Sequence, residues 1–133
     1  KAIAILGDNA EYISDPQLKA EIRFELSECY IEKGDLNLAH RKLAEILVLA
    51  ESGPLAHKIA LELAAVSLKL GRNSQDASVC LQFYSQASSV CLQLLDLGPS
   101  EQIKQKALDI LAAAYNQQKD YNRATLALLG QWK

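Results

Sequence analysis

The sequence predicts an all-α fold, an α-solenoid of antiparallel helical hairpins, on three observations. Leu, Ala, Lys, Glu and Gln dominate while only six Gly and three Pro occur, a composition of residues that lose little side-chain freedom in a helix. Apolar residues recur at spacings of three and four instead of alternating, the period of a helix with one buried face. The segments carrying this period are joined by links of only a few residues, which makes successive helices antiparallel neighbours.

Each element has its own signals. A first helix is expected over 2–13. Asp15-Pro16 then reads as an N-cap followed by Pro at the first helical position, where the missing N–H costs nothing, and opens a helix over 17–33. Lys33-Gly34-Asp35 is a tight turn, with Gly supplying the left-handed conformation at a helix end. The helix over 36–51 carries the stripe Leu36, Ala39, Leu43, Ile46 and Ala50. Ser52-Gly53-Pro54 closes it and opens 55–70, and Gly71-Arg72-Asn73-Ser74 links that to 75–97. This fifth helix has the longest stripe, Ala77, Cys80, Tyr84, Ala87, Cys91 and Leu94. Gly98-Pro99-Ser100 leads into 101–118, striped by Ala107, Leu108, Leu111 and Tyr115. At Lys119-Asp120 there is no Gly, but the apolar stripes change phase, which marks a last helix over 121–130 with Tyr121, Ala124 and Leu128.

Length and charge bound what the chain can be. At 133 residues it fits one domain that buries about two-thirds of its unfolded surface and needs no metal or disulfide to fold. Half the residues are apolar and 23% charged, unlike a disordered tail. No apolar run approaches the ~20 residues that span a bilayer, so no membrane partner is expected. With 14 basic and 16 acidic side chains and a pI of 5.7, a broad nucleic-acid surface is not expected either. Three cysteines cannot all pair and no secretory signal is seen, which points to a reducing compartment, the cytoplasm or nucleus. The start at Lys1 and the absence of Met give the expectation of a segment of a longer protein.

The chain repeats internally. Leu26, Ser27, Tyr30, Gly34-Asp35, Leu36, Ala39 and Leu43 recur at identical spacing as Leu111, Ala112, Tyr115, Lys119-Asp120, Tyr121, Ala124 and Leu128. A looser copy between them has Leu63, Ala64, Gly71 and Ala77, with Ser67 in place of the Tyr and one extra residue in the turn. This pattern resembles tetratricopeptide repeats, as one second-type helix followed by the hairpins 17–51, 55–97 and 101–130. The two good copies stand 85 residues apart, Tyr30 to Tyr115, where two regular repeats of about 34 residues would give about 68. The array therefore reads as irregular. A small residue (Ser27, Ala64, Ala112) would let the paired helix approach, Ala39 and Ala124 would sit where helices cross, and Tyr30 and Tyr115 would fill the space between neighbouring repeats. One hairpin cannot cover its own apolar face, and stacking on the next buries it.

Signals for chemistry are thin. His40 and His57 are the only histidines, far short of three converging ligands, and read as surface residues. Cys29, Cys80 and Cys91 fall in apolar stripes and read as small hydrophobes. Cys80 and Cys91 share a helix face but stand about 16 Å apart, too far for a disulfide. Phosphate loops and nucleophile elbows are absent, and Glu21, Glu25 and Glu28 sit at surface spacing. No enzyme activity, cofactor or metal is expected.

The resemblance implies a binding surface instead, a concave groove lined by the first helix of each hairpin. Position by position, that wall would hold Glu21, Phe24, Glu28 and Ile31, then Lys58, Leu61, Ala65 and Leu68, then Lys106, Asp109, Ala113 and Asn116. Phe24 falls off the stripe through Leu26, Ser27 and Tyr30, so it either takes a partner's apolar side chain or packs on the helix 2–13. The Lys and Asn clamp with which some family members grip chaperone tails has Phe24 and Glu28 at its first-hairpin positions and Glu62 in the second, which disfavours an anionic tail. The expected function is a non-enzymatic interaction module that binds a protein or peptide. The alternative is a structural segment of a large complex, resembling proteasome-lid or signalosome subunits, in which the long fifth helix packs on another subunit instead of on its neighbours.

Overall fold

The computed structural model describes residues 16–50 and 53–132. The helix expected over 2–13, the Asp15 cap and Ser52 lie outside the described residues. Among the described residues six helices follow one another: α1 Pro16–Glu32, α2 Leu36–Ala50, α3 Pro54–Asn73, α4 Ala77–Asp96, α5 Glu101–Gln117 and α6 Tyr121–Leu128. All regular structure among the described residues is helical, as expected. The chain divides within α3 into two compact units, Lys1–Ile59 and Ala60–Lys133.

In the first unit α1 packs on α2. Ala20, Leu26 and Ser27 of α1 and Ala39, Leu43 and Ile46 of α2 are buried, while Tyr30 and Leu36 of the expected stripes are half-buried. The Ser27 hydroxyl donates to the Arg23 carbonyl at 3.0 Å, so its burial leaves no polar group unpaired. Ala56 and Ile59, in the first turns of α3, are buried as well.

The second unit is built from the rest of α3 and from α4, α5 and α6, with α5 packed against both α4 and α6. Leu68, Tyr84, Ala87 and Ala114 form one core cluster, with Cys80, Ile110 and Ala113 packed on it. The α4 stripe is buried from Tyr84 onward through Ala87, Cys91 and Leu94. Ala77 is exposed and Cys80 half-buried, so the stripe starts one turn later than its spacing suggested. Burial raises the Tyr84 phenol above its ordinary value; Cys80 adds to the rise and Arg72 opposes it. Ser67, which stands where the other copies carry Tyr, is fully buried, and its hydroxyl has no partner among the described residues.

Two expectations need correction. The spacing places Gly71 to Asn73 in a link, yet α3 runs through them to Asn73. Gly71 serves packing here: a Cβ at this position would stand 2.6 Å from Cε1 and 2.8 Å from Cδ1 of the buried Tyr84 ring. The α6 stripe also differs. Ala124 is buried, but Tyr121 is 61% and Leu128 65% exposed, and Ala127 takes the inner position. α6 stops at Leu128 with Gly130 at φ 82°, two residues short of the expected end. Two alanines, spaced three apart, form its inner edge.

The repeat is reproduced in hydrogen bonds at its turns. After α1, Lys33 N–H donates to Cys29 O, Gly34 to Ile31 O and Asp35 to Tyr30 O, at 3.1, 3.0 and 2.9 Å. After α5 the corresponding bonds run from Gln118 to Ala114 O, Lys119 to Asn116 O and Asp120 to Tyr115 O, at 3.1, 3.0 and 2.8 Å. Asp35 and Asp120 then cap the following helices, accepting from Leu38 N–H at 3.4 Å and Arg123 N–H at 3.3 Å. Gly34 has φ 83° and its counterpart Lys119 has φ 63°, a left-handed conformation that costs a residue with a Cβ about 1–2 kcal/mol. The link before α4 is closed differently. Asp76 accepts from Ser78 and Val79 N–H and from the Ser78 hydroxyl, and these bonds, the hydroxyl's first, hold its carboxyl below the usual value.

Two substitutions test these readings with opposite signs. Lys119→Gly is expected to raise stability by roughly 1 kcal/mol, since it relieves the left-handed strain on an exposed side chain. Gly71→Ala is expected to lower it by about 1–2 kcal/mol, because overpacking against Tyr84 outweighs the gain in helix propensity. Urea midpoints of the two variants against the parent check both.

Candidate functional site

α1 and the start of α3 enclose an open recess of about 530 Å³ lined by Glu21, Phe24, Glu25, Pro54, Leu55 and Lys58. Pro54 at the first position of α3 sets the backbone there without costing a helix hydrogen bond. Phe24 and Leu55 are half-buried, whereas Glu21, Glu25 and Lys58 are exposed. The result is an apolar floor with charged side chains at its rim. Three of the residues expected to line a groove, Glu21, Phe24 and Lys58, are thus brought together around one depression.

The other expected residues are placed as follows. Glu28 and Ile31 continue along α1, both half-buried, and do not line the recess. Leu61 and Leu68 are buried, so they present little to a partner. Ala65 is half-buried. Lys106, Asp109 and Asn116 are exposed and Ala113 is half-buried; at spacings of three, four and three, they share one face of α5.

A second recess, of about 310 Å³, is lined by Leu92, Tyr115, Arg123, Leu126, Gln131 and Trp132. The Arg123 guanidinium stands 5.9 Å from the Tyr115 ring centre, and the Lys104 ammonium 5.4 Å from that of Trp132. Trp132 Nε1–H donates to Asp96 at 3.5 Å. Arg123 is also paired with Asp120 at 3.5 Å and Lys104 with Glu101 at 3.9 Å, exposed pairs that contribute little each. Sequence spacing did not bring Leu92, Tyr115 and Trp132 together, because they come from two helices and the segment after α6. The available signal was the coincidence of an aromatic and a basic residue on each of two neighbouring stretches.

The described residues include two histidines and three cysteines. No set of three or more His, Cys, Asp or Glu is placed to hold a metal ion among them. His40 and His57 are half-buried, more enclosed than the surface positions expected for them. Cys29, Cys80 and Cys91 are unpaired thiols; the Cys80 thiol donates to the Ser74 carbonyl at 3.3 Å. Cys91 is fully buried, and that burial pushes its thiol up to about 12. No described helix is long and apolar enough to cross a membrane.

Comparison with known proteins finds no matching family model, no matching curated protein and no matching solved structure.

The thiols give a direct check on the second unit's packing. A group whose value is raised to about 12 stays protonated at pH 8, and only the thiolate attacks an electrophile. Maleimide labelling of the native chain at pH 8, followed by mass spectrometry, is expected to modify Cys29 and Cys80 well before Cys91. Early modification of Cys91 would show that its surroundings open readily.

Proposed function

We propose that this chain is a non-enzymatic protein–protein interaction module built of tetratricopeptide-like helical hairpins, with the Phe24 recess as its contact point. The observation that carries the reading is the convergence of Glu21, Phe24 and Lys58 on one open depression. An aromatic floor with polar groups around it suits a partner's apolar side chain, since such anchors supply most of the energy of small interfaces. The turns after α1 and α5, alike bond for bond, support the hairpin repeat on which the reading is built. The exposed face of α5 with Lys106, Asp109 and Asn116 is a further contact surface in this reading. The cytoplasm or nucleus is the compartment that fits three unpaired thiols.

A second reading, a structural segment of a large assembly, draws on α4. Leu81 is 52% exposed, and Leu97 just beyond the helix is 63% exposed, apolar surface that a neighbouring subunit would cover.

The two readings separate in quantitative co-purification from cells. Phe24→Ala is expected to reduce partner capture about tenfold or more, with helicity kept and a stability loss of about 1 kcal/mol. Capture that withstands Phe24→Ala and fails with Leu81→Asp assigns the chain to the structural reading.

A further inference from the structure

We propose, resting on the reading of the Phe24 recess as a binding site, that its occupant is a basic peptide segment in which lysines or arginines flank one apolar side chain. α1 is charged on opposite sides by sign. Glu21, Glu25, Glu28 and Glu32 fall within about 60° of arc on a helix of 3.6 residues per turn. Lys19 and Arg23, the two cations of α1, lie on the opposite side by the same geometry. Glu21 and Glu25 are four apart, Glu25 and Glu28 three, and Glu28 and Glu32 four, like-charge neighbours that each weaken a helix instead of supporting it.

Neither rim carboxylate stands in an ion pair among the described residues. Ion pairs among the described residues include Lys42 with Glu45, Lys104 with Glu101 and Arg123 with Asp120. Glu21, Glu25 and Lys58 are in none of them. Among the described residues, the lining of the recess therefore holds two carboxylates outside any ion pair against one ammonium, and Glu32 extends the acidic face beyond it. Glu28, on the same face, has an interaction of its own and does not line the recess. Between the carboxylates, Phe24, Pro54 and Leu55 offer an apolar seat. A ligand that satisfies both parts carries an apolar side chain for the seat and cations for the rim. An acidic segment would bring its charges against Glu21 and Glu25, and a purely apolar one would leave them desolvated beside it.

Lys58 makes the assignment specific. As the sole cation lining the recess among the described residues, it repels a basic ligand, so its removal should strengthen binding of that ligand and weaken binding of an acidic one.

The test uses the full chain and three fluorescein-labelled nine-residue peptides read by fluorescence anisotropy: Leu flanked by lysines, Leu flanked by glutamates, and Ser flanked by lysines. The lysine–leucine peptide is expected to bind more tightly than either of the others. Its affinity should fall roughly fivefold to tenfold in Glu21→Gln/Glu25→Gln, the worth of two exposed charge pairs, and about tenfold in Phe24→Ala. It should rise in Lys58→Ala and fall with added salt. Tighter binding of the glutamate peptide that Phe24→Ala abolishes would overturn the charge assignment and leave the recess as the site. Binding of any of the peptides that ignores Phe24→Ala would remove the recess itself, and with it the reading on which this inference rests. If none of the three binds, the basic-peptide assignment is overturned, while the co-purification readout for Phe24→Ala still decides the site.

Discussion

Close approach of helix backbones, made possible by small buried side chains, is the constraint from which the rest of each unit follows. Ala20, Ser27 and Ala39 are completely buried in the first unit, and Ala64, Ala87, Ala107 and Ala114 in the second. Where two helices cross at such residues, no long side chain holds them apart, and the larger Leu43, Ile46, Leu94 and Leu111 fill the space on either side. Gly71 carries the constraint furthest, since even a methyl group there meets the Tyr84 ring. This explains why α3 tolerates a glycine in its interior at a cost of about 1 kcal/mol in propensity. The helix gives up some intrinsic stability, and the pair gains contact with a buried aromatic.

The turns show the same economy from another direction. After α1 and after α5 the chain reverses with the same three backbone bonds and the same aspartate cap, although one turn uses Gly34 and the other Lys119. Helix packing and the cap overdetermine the left-handed residue, so lysine is held in a conformation it would not choose alone. Ser67 is a parallel case. Its hydroxyl, without a partner among the described residues, costs about 1–3 kcal/mol by itself, and packing sustains it at the place where the other copies put a tyrosine.

The recess follows from where bulk was placed on α1. Leu26 and Ser27 face the core, fully or nearly fully buried, while Phe24 lies off that stripe and stays half-buried beside Pro54 and Leu55. An aromatic kept out of the core leaves an apolar surface in reach of solvent, and the glutamates along the same side set its electrostatic character. The α1 face is thus unlike the α5 face, where Lys106, Asp109 and Asn116 mix signs.

Periodicity and turn chemistry, both local properties of the chain, were enough to determine the helical class, five of the six described helices to within two residues at each end, and the stripes through Leu43, Tyr84 and Leu111. They determined the repeat because equal spacing of Tyr, Asp and Ala demands equal turns. Tertiary contact decided what local pattern cannot express. Gly71 looked like a link because a glycine near a helix end usually is one, and only the approach of Tyr84 shows why the helix continues. Leu128 shares the spacing of Leu43 but not its burial, because α6 ends early and turns Ala124 and Ala127 inward. Phe24, Glu21 and Lys58 could be placed on first helices from the sequence. That they border one depression, and that Tyr115, Arg123 and Trp132 border another, depends on helices remote in the chain meeting in space.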